Sequence, residues 1–286
     1  MADMGEQSPA KPMSGIPLFY LGDNHTFQPL ARRLSAHRPF QSLDIEPRIV
    51  GKLKNPYSLR CIAEHFVKTI RERQPRGPYM LMGWSAHGLL ALETAQQLRE
   101  EGQNVALVVL METINPERLR QQPRWMRGIA RWQVKMKLVQ FEHRYYRSLG
   151  KQQARESASS RSARNLAGTH RSLGVTLGRT SKKIDLARST PLDILYAAAA
   201  NYLPRPYDGP VLLMRSRNGL FGFAGDARLG WGKTLGKLEI CETQGNHYSI
   251  HVEPNVQGLA QKVGARLRHA EQRWGQGVRE EGRQIT

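Results

Sequence analysis

An apolar strand pattern runs directly into a helix pattern at residues 77–98, which read GPYMLMGWSAHGLLALETAQQL. The helix pattern is set by four apolar residues that recur on one face: Leu89, Leu92, Ala95 and Leu98. Between the two patterns, the segment Gly83-Trp-Ser-Ala-His-Gly88 places Ser85 on a tight turn. A serine on such a strand-to-helix turn is typical of a nucleophile elbow, in which the hydroxyl projects from the sheet edge. The N-terminus of the following helix stabilises negative charge near that hydroxyl. A serine here is equally typical of a simple N-cap, so the turn alone leaves both interpretations open.

Strand and helix patterns alternate on both sides of this turn. Strands are predicted at 17–21, 40–45, 78–84, 105–111, 210–215 and 238–242. Helices are predicted at 27–35, 59–73, 85–101, 192–202 and from about Asn255 onward. The run Val105–Met111 is almost continuously apolar, which is typical of a strand covered on both faces. We therefore predict an α/β fold with a mostly parallel central sheet flanked by helices.

The composition places the chain among ordinary globular proteins. Of its 286 residues 40% are hydrophobic and 23% are charged, which excludes disorder as the main state and allows a sizeable core. No apolar run approaches the ~20 residues of a membrane span, and the first fifteen residues lack the apolar stretch of a signal peptide, so a cytoplasmic protein is expected. Two cysteines exclude a disulfide scaffold and a cysteine-based zinc site.

Positive charge is concentrated in residues 115–191. This segment holds 18 Lys and Arg against four Asp and Glu, so it carries +14 of the chain's +19. Its apolar residues Trp125, Ile129, Trp132, Met136 and Val139 predict a basic amphipathic helix. We predict a polar leader at 1–15, a core at 16–114 and 192–270, a basic insertion at 115–191 and a polar tail at 271–286. An acidic protein, a membrane surface and a nucleic acid are the partner classes that such charge suits.

Two further residues follow Ser85 in the order that a catalytic triad of an α/β-hydrolase requires. A serine nucleophile needs a histidine base, and the base needs an acid that fixes its tautomer. Glu112 ends the strand 105–111, 27 residues after Ser85. His247 lies on a turn just before the last helix, and His251 four residues later is the alternative base. The Gly-Asn-His context favours His247.

Together these segments resemble the thioesterase domains of nonribosomal peptide and polyketide synthases. The likeness rests on 77–98 for the serine segment, 108–113 for a strand that ends in an acid, and 205–213, 229–231 and 245–256 for the closing segments. It covers roughly residues 16–114 and 192–268. The resemblance implies an α/β-hydrolase fold in which the basic insertion is a helical lid, and the amphipathic helix packs over the active site.

The resemblance also implies roles for individual residues. Ser85 would attack an acyl or peptidyl thioester, His247 would relay the proton, and Glu112 would orient His247. The amide of Ala86 would hold the oxyanion, with Gly22 or its neighbour Asp23 as the second donor. Some members of the family place the acid after a later strand, where this chain has Asp226; of the two acids we favour Glu112.

Three positions depart from the usual pattern of that family. Glu112 stands where aspartate is usual, and it is one methylene longer. The first strand-to-helix loop, Leu21–His25, keeps only Gly22 of the usual glycines and adds an acid. His87 replaces a small residue. We interpret His25 and His87 as packing or surface residues.

The implied function is a serine thioesterase that releases a chain from a carrier protein by hydrolysis or cyclisation through an acyl-enzyme. No metal or cofactor of its own is implied, because the phosphopantetheine arm belongs to the carrier. Carriers of this kind are generally acidic, so the basic insertion favours an acidic acyl or peptidyl carrier over nucleic acid. The alternatives are a general esterase or acyltransferase, and a degenerate, non-catalytic hydrolase-fold binding protein.

Overall fold

A computed structural model describes residues 15–22, 24–45, 58–121, 190–217 and 226–284. The strands in these ranges are β1 (Leu18–Leu21), β2 (Phe40–Leu43), β3 (Tyr79–Trp84), β4 (Val105–Met111), β5 (Tyr207–Ser216) and β6 (Leu235–Thr243). The helices are α1 (Asn24–Ser35), α2 (Leu59–Arg73), α3 (Ala86–Glu100), α4 (Pro116–Gln121), α5 (Pro191–Asn201) and α6 (Asn255–Gln284).

The strands form one sheet in the order β2-β1-β3-β4-β5-β6, and every neighbouring pair is parallel. The apolar strand β4 lies between β3 and β5 and is buried along its whole length. Parallel strands need crossover connections, which are usually helical, and α1, α2 and α3 supply them from β1 to β2, from β2 to β3 and from β3 to β4. The predicted α/β fold with a parallel sheet flanked by helices is confirmed.

The core consists of two apolar layers, one on each face of the sheet. Successive residues of a strand point to opposite faces, so Leu18 and Tyr20 enter one layer while Phe19 and Leu21 enter the other. Helices α2, α3 and α5 cover the layer that contains Phe19, and α1 and α6 cover the opposite one. Burial on both faces explains why the central strands have almost no polar residues.

The last helix continues through the segment that was expected to be a polar tail. Helix α6 runs from Asn255 to Gln284, and Glu271 within it accepts hydrogen bonds from the Ile16 amide at 2.8 Å and the Arg38 guanidinium at 2.9 Å. Residues 271–284 are therefore helical, and Glu271 ties them to the start of β1.

Two predicted segments lie outside the described residues. The leader is not described before residue 15, and the basic insertion is described only at its ends, where α4 and the start of α5 lie. The predicted amphipathic helix at 125–139 and the lid itself are therefore not described. Within the described ranges, no helix is long and apolar enough to cross a membrane.

Candidate active site

Ser85 occupies a strained turn between β3 and α3. Its backbone has φ 56° and ψ −122°, a positive φ that is uncommon for a residue other than glycine. The Ser85 amide donates to the Met111 carbonyl of β4 at 2.9 Å, which fixes the turn at the sheet edge. The Ser85 side chain makes no capping hydrogen bond to the helix. A simple N-cap role is therefore not supported, and backbone strain of this kind is typical of functional sites.

Two glycines allow the close packing that this turn requires. A Cβ atom on Gly83 would lie 2.2 Å from the His87 carbonyl oxygen, and one on Gly88 would lie 1.9 Å from Thr113 Oγ1. Both distances are far below van der Waals contact. The close approach of α3 is therefore made at positions 83 and 88, and the fold accommodates the bulky His87, whose side chain is buried.

Glu112 and His247 form a buried pair at the same edge of the sheet. Glu112 directly follows β4 at φ 48°, and its Oε2 lies 3.5 Å from Nδ1 of His247. Its other carboxylate oxygen, Oε1, accepts a hydrogen bond from the Ser216 amide at the end of β5. The Glu112 amide in turn donates to the Met214 carbonyl at 2.8 Å. The neighbouring strand therefore holds both the backbone and the carboxylate of Glu112.

The turn that carries His247 is built by the residues around it. Gly245 adopts φ 96°, and the Asn246 side chain accepts hydrogen bonds from the amides of Tyr248 and Ser249, each at 3.0 Å. Such an Asn-centred turn projects the residue after it in a fixed direction. The Gly-Asn-His sequence thus has a structural explanation, since the first two residues shape the turn that presents the third.

Burial sets the protonation state of His247. The side chain is almost fully buried, and this lowers the pKa of the imidazole below its ordinary value, although the Glu112 carboxylate acts in the opposite direction. The imidazole is therefore neutral near neutral pH. A neutral imidazole is the form that can accept a proton as a general base.

The Trp84 indole links His247 to the serine turn. It packs against the imidazole in a tilted arrangement, with ring centroids 4.6 Å apart and an interplanar angle of 33°, and Trp84 immediately precedes Ser85. The alternative base, His251, packs against Trp84 at 5.4 Å and Phe27 at 4.8 Å instead. Burial lowers the pKa of His251 to about 3. His251 is therefore a neutral member of an aromatic cluster, and the carboxylate of Glu112 pairs with His247.

The Asp226 carboxylate stabilises the turn that begins at Asp226. Its two carboxylate oxygens accept hydrogen bonds from the amides of Arg228 at 3.0 Å and Gly230 at 2.8 Å. These bonds stabilise the turn in which Leu229 and Gly230 take positive φ angles. Within the described ranges, the acid that contacts His247 is Glu112.

The two predicted oxyanion donors differ in availability. The Ala86 amide is at the first position of α3, where the helix offers no carbonyl four residues back, so α3 itself does not use this N–H and it can donate to a substrate oxygen. The Gly22 amide donates to the Leu43 carbonyl of β2 at 2.8 Å, because the pairing of β1 with β2 continues one residue past β1. The prediction of Gly22 as a donor is therefore not supported. Asp23 and the His25 side chain lie outside the described residues.

Tyr196 is a site residue that the sequence reasoning missed. It lies on α5, its side chain is 2% exposed, and its hydroxyl oxygen is 3.5 Å from Ser85 Oγ. Among the described residues, the Ser85 hydroxyl faces Tyr196 and makes no hydrogen bond to His247. Burial raises the pKa of the Tyr196 hydroxyl, so the group keeps its proton. Helix α5 is so apolar that its sequence gave no sign of a functional tyrosine.

Among the described residues, no cluster of His, Cys, Asp and Glu could hold a metal ion. Three kinds of chemical group lie at this edge of the sheet. They comprise a hydroxyl on a strained turn, a neutral imidazole with a carboxylate at its far nitrogen, and a free helix N-terminus.

Comparisons with known proteins show the family to which the chain belongs. A sequence profile of the family described as the thioesterase domain matches residues 19–188, more than half of the chain. The chain is 36% identical over 94 residues to the bikaverin polyketide synthase bik1 of Gibberella fujikuroi, and 31% identical over 121 residues to the vanchrobactin synthetase VabF of Vibrio anguillarum. It is 48% identical over 61 residues to the thioesterase pytI of Aspergillus terreus.

These alignments cover only part of each protein. They span 30%, 41% and 21% of this chain, and 5%, 4% and 20% of the respective relatives. The chain thus matches a small part of the length of the curated relatives. The two synthase names nonetheless agree with the resemblance to thioesterase domains of polyketide and nonribosomal peptide biosynthesis.

Solved thioesterase structures share the fold. The NocB thioesterase domain in covalent complex with a fluorophosphonate nocardicin G analog has a TM-score of 0.58 at 22% identity, covering 87% of this chain and 93% of that one. RedJ with a bound polyethylene glycol has a TM-score of 0.56 at 16% identity, with coverages of 93% and 95%. At such identities the likeness concerns the fold alone, and it confirms the predicted α/β-hydrolase type.

Proposed function

The chain belongs to the thioesterase domain family, and on that premise we propose that it releases an acyl or peptidyl chain from a carrier-protein thioester through an acyl-enzyme on Ser85. One observation carries this proposal: the buried Glu112–His247 pair lies beside the strained Ser85 turn. All three residues follow the carboxyl ends of parallel strands, where such sheets gather functional groups. The synthase relatives support a carrier-bound substrate.

Acylation begins with proton transfer to His247. The Ser85 oxygen bonds to the thioester carbonyl carbon while Nε2 of His247 takes the hydroxyl proton, and the carbonyl electron pair moves onto oxygen. The intermediate then collapses, the carbon–sulfur bond breaks, and the sulfur leaves as a thiol with the proton from His247. Glu112 at Nδ1 keeps Nε2 free in the neutral imidazole and stabilises the imidazolium that forms.

Deacylation uses the same groups in reverse. A water molecule, or a hydroxyl or amine of the bound chain, gives its proton to His247 and attacks the ester carbonyl. The bond between the acyl carbon and Ser85 Oγ then breaks, and Oγ takes back the proton from His247. Water yields a free acid, and an internal nucleophile yields a ring. The Ser85 hydroxyl faces Tyr196 in the free protein, and catalytic hydrogen bonds of free enzymes are often long until substrate binds.

We further propose that the donor of the substrate is an acidic carrier protein. Residues 115–191 carry a net charge of +14, and both ends of this segment are close to the site. At its start, α4 comes shortly after Glu112, which directly follows β4; at its end, α5 begins, and this helix carries Tyr196. A field of this sign at the site raises the encounter rate with an acidic partner.

The test is covalent labelling with a fluorophosphonate probe, followed by mapping of the labelled residue by mass spectrometry. We expect a single adduct on Ser85, together with hydrolysis of a carrier-bound acyl thioester. Ser85→Ala should abolish both, whereas Ser35→Ala, at the far end of α1, should abolish neither.

Each alternative function has its own outcome in this experiment. A folded wild-type protein that takes no label would support a non-catalytic binding protein. Labelling with turnover of simple esters, but not of the carrier-bound thioester, would support a general esterase.

A further inference from the structure

The Tyr196 hydroxyl faces the Ser85 hydroxyl from an otherwise apolar, buried stretch of α5. The flanking residues of α5 on the same buried stretch are apolar: Ile194, Leu195, Ala197, Ala198 and Ala199. A buried hydroxyl costs free energy unless it is hydrogen-bonded. Its partner among the described residues is Ser85 Oγ, and their separation of 3.5 Å is longer than the ~2.8 Å typical of a hydroxyl pair. The Tyr196 hydroxyl therefore retains the capacity for a better acceptor.

Among the described residues, one backbone amide is placed to donate to an oxyanion at this site. A tetrahedral intermediate of acyl transfer carries its negative charge on the former carbonyl oxygen, and two preorganised donors usually hold it. The Ala86 amide supplies one donor at the N-terminus of α3. The Gly22 amide does not supply the other, since it is bonded to the Leu43 carbonyl, and Asp23, the alternative donor, lies outside the described residues.

We propose that the Tyr196 hydroxyl donates the second hydrogen bond to this oxyanion, beside the Ala86 amide. The inference rests on the proposed function, because it requires Ser85 to be the nucleophile. The oxyanion is attached to the carbon that Ser85 Oγ has just bonded, so a donor that faces Oγ is within reach of it. Tyr196 keeps its proton throughout, and the proton of Ser85 goes to His247.

The electrostatics of the position suit this role. The hydroxyl is shielded from water, and a hydrogen bond to a developing charge is stronger in such surroundings than in solution. Burial raises the pKa of the Tyr196 hydroxyl, so it is a donor across the working pH range. The capping box of Thr190 and Asp193 fixes the first turn of α5, one turn before Tyr196, and so orients the group in advance.

The experiment compares Tyr196→Phe with the wild type on an acyl N-acetylcysteamine thioester. The variant removes one oxygen atom and keeps the ring. We expect kcat to fall about 10²-fold or more with KM unchanged, because a donor to the intermediate acts only in the transition state. The rate of Ser85 labelling by a fluorophosphonate, whose adduct places an oxygen in the same position, should fall in parallel.

Tyr202→Phe is the matched control. Its hydroxyl is also buried at the end of α5, but it donates to Glu93 at 2.8 Å, away from Ser85. This variant should lower the melting temperature and keep the wild-type kcat. Unchanged kcat and unchanged labelling in Tyr196→Phe would overturn the proposal, and so would a Tyr196→Phe protein that fails to fold, since the hydroxyl would then serve folding. A wild-type protein that is neither labelled nor active would overturn the proposed function as well, and the unlabelled Ser85 would distinguish that case.

Discussion

Replacement of Glu112 by glutamine tests whether the carboxylate at His247 does catalytic work. Glutamine has the shape of glutamate and offers an amide oxygen to the Ser216 amide, so the fold should persist. The charge is lost, and with it the stabilisation of the imidazolium that forms when His247 accepts the serine proton. An amide nitrogen facing Nδ1 also favours the wrong tautomer, in which Nε2 carries the proton.

The size of the effect follows from the distance between the charges. Oε2 of Glu112 and Nδ1 of His247 are 3.5 Å apart. At an effective dielectric constant of about 20, two unit charges at this distance attract by about 5 kcal/mol. Since about 1.4 kcal/mol corresponds to a factor of ten in rate, a loss of roughly 10³- to 10⁴-fold in kcat is expected.

Steady-state hydrolysis of a short acyl thioester measures this loss, and Asp226→Asn is the control. Asp226 binds the amides of its own turn, so its amide variant should lose some stability and little turnover. The reasoning is refuted if Glu112→Gln retains kcat within tenfold of the wild type. It is also refuted if Asp226→Asn is the more damaging of the two changes, because the acid would then come from the later strand.

Three further predictions follow. The kcat/KM value should stay constant on acidification until the pH is below about 6.5, because burial lowers the pKa of His247 and the neutral base persists; a pH–rate profile with an inflection above 6.5 would contradict this. Gly88→Ala should cost several kcal/mol in a urea titration because of its clash with Thr113. Gly258→Ala on α6 should be neutral or stabilising, because no described residue outside the adjacent helix backbone lies within 4 Å of the new Cβ. Turnover of a carrier-bound thioester at low concentration should fall with added salt, because salt screens the net charge of +14 on residues 115–191. Turnover of an uncharged thioester should be unaffected. An equal salt dependence of both substrates would exclude electrostatic steering of the carrier.

The sequence predicted the secondary structure well where the signal is local. Helix α2 at Leu59–Arg73 and strand β4 at Val105–Met111 have the predicted bounds, because helical periodicity defines the first and a continuous apolar run defines the second. The start of β5 differs from the prediction. It begins at Tyr207 and not at residue 210, because Tyr207 pairs with Leu235 of β6 in a register that no local pattern encodes.

The candidate site was also predictable only in part, where the signal is local. Ser85, Glu112 and His247 each follow a strand end, so their order along the chain was enough to nominate them. The partner of the Gly22 amide depends on how far β2 continues beside β1, and that is a property of the assembled sheet. Tyr196 reaches Ser85 from 111 residues away on a helix that otherwise looks like core, so only the tertiary structure could place it.

The unusual glutamate is explained by the strand beside it. A side chain one methylene longer than aspartate has more freedom, and a loosely held acid would orient His247 poorly. Here β5 restrains Glu112 twice, since the Met214 carbonyl accepts from its amide and the Ser216 amide donates to its carboxylate. The end of β5 therefore holds the acid in position, although it does not supply the carboxylate. The Asp226 carboxylate, which follows β5 in the chain, stabilises its own turn instead.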